Sequence, residues 1–105
     1  MLLLSTALNP TTPAESNDTT CIVFLDDVDT MGTMFEGVYL SFAMQQMENK
    51  NLFSMAEGKP VRILDLDLID IDMQQEFLMN YCEEDPTREF ADGVTLLYKQ
   101  FPQAD

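Results

Sequence analysis

Histidine is absent from the 105 residues, and only five Lys and Arg stand against nineteen Asp and Glu. Without histidine, no side chain has an ordinary pKa near neutrality, and neither a Ser/His nor a Cys/His nucleophilic pair can be assembled. The scarcity of cations excludes direct binding of nucleic acid or anionic lipid, because both are held by neutralising phosphates with Lys and Arg. Glycine is sparse as well, at four residues, and no Gly-rich phosphate loop, internal repeat or coiled-coil heptad is present. The two cysteines, Cys21 and Cys82, lie far apart in sequence and fit no metal spacing. They read as buried reduced thiols of a cytoplasmic protein, with a single disulfide as the lesser alternative. The opening MLLLSTALNP lacks a basic n-region, and its apolar run is far too short to span a bilayer. An edge strand or a docking arm is expected there, with no membrane association.

What the chain does have is charge and apolar bulk together. Its formal charge is −14, and 46% of its residues are hydrophobic. That length and composition suit one domain with a real core. Residues 9–20, NPTTPAESNDTT, read as loop, so 1–20 are a flexible lead-in or edge strand and 21–105 a single acidic α/β domain. Asn17-Asp18-Thr19 matches a glycosylation acceptor, relevant only to a secreted chain.

CIVFL, Cys21 to Leu25, is rich in β-formers and predicts a buried strand ending at Asp26 and Asp27. Met31, Phe35, Val38 and Phe42 then recur at helical spacing, with Thr33 and Glu36 as a T-x-x-E capping box. VRILDLDL, residues 61–68, alternates Leu64, Leu66 and Leu68 with Asp65 and Asp67, the pattern of a half-buried strand. The phase reverses at Ile69, so a bulge, bend or strand end is expected near Leu68 and Ile69. Asp72 and Gln75 form a second capping box for a short helix carrying Met73, Phe77 and Tyr81 inward. Asp85 and Pro86 open a last helix with Phe90, Val94, Leu97 and Phe101 on one stripe, weakened by Gly93; a strand over residues 94–101 is the alternative. The expected fold is therefore α/β or α+β: a short mixed or parallel sheet, with strands near 21–26 and 61–68, covered by about three helices.

Chemistry must come from carboxylates. In LDDVDTMGTMFEGVYLSFA, Leu25 to Ala43, acids close the expected strand, a Gly-Thr turn follows, and a helix carries Glu36 in its first turn. This segment resembles the nucleoside 2-deoxyribosyltransferase family, over under a fifth of the chain. The resemblance implies Glu36 as the nucleophile at the anomeric carbon and one of Asp26, Asp27 or Asp29 as the acid assisting the departing base. A carboxylate nucleophile of this kind divides glycosyl transfer into two easier steps. Glu36 is followed directly by Gly37, where the family has Glu-x-Gly, and only residues 1–20 precede Cys21. The first half of that fold is accordingly expected to be missing.

The second constellation is Asp65, Asp67, Asp70 and Asp72, continued by Glu83, Glu84 and Asp85. Such aspartates can share Mg²⁺ or Ca²⁺, but the central glycine of an EF-hand loop is lacking, and neither metal nor cofactor is expected. Charge on a strand also guards its edge. As a recognition face, side chains repeating at about 6.6 Å imitate phosphates rising about 3.4 Å per nucleotide only loosely. Small acidic inhibitors from phages and mobile elements act in this manner.

The sequence thus points to an acidic interaction or inhibitor protein that contacts a basic protein, a nucleic-acid-binding one among the candidates, through those seven carboxylates, and it leaves self-association open. The transferase-like enzyme, or an inactive relative, is the alternative. A Met-rich assembly or chaperone subunit is a third reading, resting on Met31, Met34, Met44, Met47, Met55, Met73 and Met79 as adaptable apolar contacts.

Overall fold

Thr20 opens the first element. In the computed structural model, which describes residues 19–33 and 35–104, the Thr20 hydroxyl accepts from the Val23 N–H at 3.4 Å. This N-cap starts helix α1, Cys21–Thr30, by giving one otherwise unpartnered backbone donor an acceptor. Cys21, Phe24 and Val28 are its buried residues, a helical spacing of three and four. The strand expected at 21–26 is therefore a helix. Its β-formers Ile22 and Val23 face outward, 56% and 48% exposed.

After Met31–Thr33 the chain enters a wide π turn, Phe35–Tyr39, which continues into α2, Leu40–Ala56. Phe35, Tyr39, Ala43 and Met47 are buried. Val38, expected inward, is exposed, because i→i+5 bonding widens the turn and brings every fourth residue into line; Met31, also expected inward, precedes that turn and is exposed at the end of α1. Among the described residues no hydrogen bond joins the side chains of Thr33 and Glu36 to this turn. The Thr33 carbonyl instead accepts from the Gly37 N–H at 3.0 Å, so the expected capping box does not form.

Residues 61–70 are not a strand either. Arg62 makes only an isolated antiparallel bridge to Gln103. The Asp65 carboxylate then accepts from the Asp67 N–H at 2.8 Å, and the Asp65 carbonyl accepts from Leu68 and Ile69 at 3.0 and 3.2 Å. An aspartate that bonds its own local backbone competes with ladder pairing. Leu66 and Leu68 consequently remain exposed, while Leu64 and Ile69 pack on the core. The chain does change direction at Leu68 and Ile69, as a turn.

The Asp70 carboxylate accepts from the Met73 N–H at 2.8 Å and caps α3, Ile71–Glu84, two residues ahead of the expected cap at Asp72. Gln74, Leu78 and Cys82 are buried, Phe77 and Tyr81 are half-buried, and Met73 is exposed. The Asp85–Arg88 segment forms a separate turn, and α4 spans Phe90–Tyr98. Phe90, Val94, Leu97 and Phe101 are all buried, the stripe expected for this helix.

The result is an all-helical fold with no sheet among the described residues, in place of the α/β or α+β architecture expected. Phe24, Tyr39 and Phe90 meet with ring centroids 4.7–5.2 Å apart, tying α1, the π turn and α4 into one aromatic core. Cys21 and Cys82 form a disulfide from the start of α1 to the end of α3, and both are fully buried. The expected pair of reduced thiols is therefore corrected: folding brings residues 61 apart in sequence into bonding contact. At the far end, the Asn51 side chain bonds both backbone groups of Arg62 and accepts from the Tyr98 hydroxyl. The Arg62 guanidinium in turn donates to the carbonyls of Lys99 and Phe101, closing the C-terminus of α4. Met1 to Leu8, Asn17 and Met34 lie outside the described residues.

Candidate acidic interaction surface

The excess of acid is scarcely neutralised within the chain. Among the described residues only two ion pairs form, Lys59–Glu57 and Arg88–Glu84, each at 3.2 Å. Of the seven carboxylates expected to form the recognition face, six fall into two groups at the two ends of α3.

The first group surrounds the start of α3. Asp65 and Asp70 hold the turn and the cap, while Asp67 and Asp72 are exposed without such duties. Glu36, from the π turn, joins Asp70 and Asp72 beside Leu66 and Ile71 around an open depression of about 330 Å³. The second group lies at the end of α3. Glu84 pairs with Arg88. Asp85 accepts from both the hydroxyl and the N–H of Thr87, at 2.6 and 3.1 Å. Those two bonds, the hydroxyl's foremost, hold the Asp85 carboxyl below the usual carboxylate range.

Glu83 looks the other way, toward α1. With Asp26 and Asp29 it rims an open depression of about 590 Å³, whose lining includes Ile22, Leu25, Val28 and Met79. The ends of the acidic array, Asp72 and Asp85, are about 20 Å apart at the helical rise. Glu76 is exposed as well, and Asp72, Glu76 and Glu83 fall at i, i+4 and i+11 on one face of α3, with Glu84 and Asp85 off that face. Glu76, Ile22 and a binding role for Asp26 and Asp29 are not among the expectations drawn from the sequence. The helical period of α1 was the signal that would have found the last three.

The carboxylates singled out by the transferase resemblance are divided. Asp27 accepts from the Tyr39 hydroxyl at 2.6 Å. Burial, then the hydrogen bond to Asp27 and its charge, push the Tyr39 hydroxyl well above the ordinary tyrosine range. Asp26 and Asp29 line the larger depression and Glu36 the smaller. The strand end that the resemblance implies is part of α1. Of the methionines, Met47 is buried, whereas Met31, Met55 and Met73 are exposed on separate elements.

Among the described residues no three Asp, Glu or Cys side chains converge in a metal-binding cluster, and no helix is long and apolar enough to cross a membrane. No protein-family model, curated protein or solved structure matches the chain.

Proposed function

We propose that this protein acts by binding a basic protein through its carboxylate surface, and that it blocks a nucleic-acid site on that partner. The observation that carries this reading is the −14 charge set against two internal ion pairs among the described residues. Uncompensated surface charge of one sign accelerates encounter with an oppositely charged partner and makes binding depend on salt. The recognition set is Asp65, Asp67, Asp70, Asp72, Glu83, Glu84 and Asp85, together with Glu76 on α3.

Cytoplasmic residence, expected from the sequence, is the part of the reading that the Cys21–Cys82 disulfide argues against. Disulfides persist in oxidising compartments and are rare in the cytosol, and thiol titration of the protein as isolated from its source distinguishes the two.

The test is affinity capture at low and high salt with the wild type and with a variant in which Asp65, Asp67, Asp70 and Asp72 are Asn. Asparagine serves as well as aspartate at turns and N-caps, so the variant alters charge while keeping the fold. A basic protein released by salt and bound about ten-fold more weakly by the variant supports the reading. Equal capture of that protein by both chains removes these aspartates from the interface.

A further inference from the structure

The depression between α1 and α3 combines features that the rest of the acidic surface lacks. Ile22 is 56% exposed at its edge, Leu25 and Met79 are half-buried within it, and Val28 is buried beneath. Asp26, Asp29 and Glu83 are exposed around this apolar patch, and neither ion pair of the described residues involves them. The last turn of α1 carries no basic residue, whereas the end of α3 is met by Arg88, whose guanidinium donates to the Tyr81 carbonyl at 3.0 Å. The partial negative charge of a helix C-terminus favours Lys or Arg there; at α1 the acid Asp29 stands in that place and raises the local energy until a cation arrives from outside.

We propose that this depression is the docking site for an amphipathic cationic segment of a partner protein. An aliphatic or aromatic side chain seats on Ile22, Leu25 and Met79, and flanking Lys or Arg residues meet Asp26, Asp29 and Glu83. This inference rests on the reading above and names the place and chemistry of contact. Charge complementarity selects the occupant. An acidic segment is repelled by the three carboxylates, a purely apolar one leaves them desolvated and unpaired, and a nucleic acid is repelled by its phosphates. The volume, about 590 Å³, accommodates an anchor side chain with its neighbours, and unbranched Met79 can adapt to its shape. An apolar face laid in a groove with charges at its margin is a recurrent mode of peptide-helix recognition.

The experiment titrates the full-length oxidised protein with two labelled synthetic peptides of equal positive charge, an amphipathic Leu/Lys helix and an oligolysine. Fluorescence anisotropy gives the affinities, and methyl NMR shifts give the place of binding. The Leu/Lys peptide is expected to bind about ten-fold more tightly than oligolysine, the effect of seating one apolar side chain, and to move the methyl signals of Ile22, Leu25 and Met79. Ile22→Gln, at an exposed position, should erase that advantage while leaving oligolysine binding unchanged. Asp26→Asn with Asp29→Asn and Glu83→Gln should weaken both peptides, whereas Glu48→Gln with Asp92→Asn, exposed carboxylates outside the recognition set and the depression, should leave the Leu/Lys affinity unaltered. Equal affinities for the two peptides, or shifts centred on Leu66 and Ile71, would overturn the docking site while leaving the acidic-surface reading intact. No binding of either cationic peptide at low salt would overturn both.

Discussion

Tyr39 and Asp27 show how a single pair links α1 to the π turn. The tyrosine ring is 4% exposed in the aromatic core, and its hydroxyl finds an acceptor in the half-buried Asp27 carboxylate at 2.6 Å. A hydrogen bond to a charged group contributes about 1.5–3 kcal/mol. Tyr39→Phe should therefore lower unfolding stability by about 1–2 kcal/mol, the lower values reflecting water that reaches Asp27, as measured by urea titration. The pH dependence has a definite sign. The folded-state pKa of Tyr39 is raised, so the unfolded chain releases this proton first. The contribution is fully present below about pH 10 and is lost as pH rises beyond it toward the folded value. Wild-type stability should fall in that alkaline range more steeply than that of Tyr39→Phe; parallel curves would remove the pair as the cause.

Among the elements, the contact of α3 with α4 turns on Gly93. A methyl placed there would lie 2.7 Å from Cδ2 of Tyr81 and 3.3 Å from Cδ2 of Leu78. The residue that weakens α4 in isolation thus permits the close approach of its neighbour. Gly93→Ala gains about 1 kcal/mol of helix propensity, but overpacking costs about 1–3 kcal/mol. A net loss of about 0–2 kcal/mol is expected in thermal or urea unfolding; a gain would show that Tyr81 moves aside freely. The elements also mark where local pattern suffices. Phe90, Val94, Leu97 and Phe101 sustain one period long enough to be read directly, and all four are buried. Cys21 to Leu25 is too short a run to separate periods of 2 and 3.6, and Val28, which completes the helical stripe, lies beyond the aspartates that seemed to end it. At residues 64–68 the alternation was real in the sequence, but the Asp65 turn prevailed where no neighbouring strand supplied a ladder.

For the whole molecule, the disulfide ties the start of α1 covalently to the end of α3. Closing a loop of 61 residues removes unfolded-state entropy worth about 4 kcal/mol in the chain-entropy model. The Cys21→Ala, Cys82→Ala double variant should lose about 2–5 kcal/mol of stability and unfold at lower temperature by calorimetry. Treatment of the wild type with reductant should reproduce that loss. An unchanged melting temperature in both would show that the helices pack equally well unlinked.

By itself the sequence determined the uncompensated negative charge, the final helix and the carboxylates available for binding, because composition and local period need no distant partner. Tertiary structure decided that Cys21 meets Cys82, that Glu36 joins Asp70 and Asp72, and that Asp26 and Asp29 face Glu83 across an apolar depression. Those groupings join residues dozens of positions apart. They follow from which helix faces the shared core buries, a choice that no short stretch of chain makes alone.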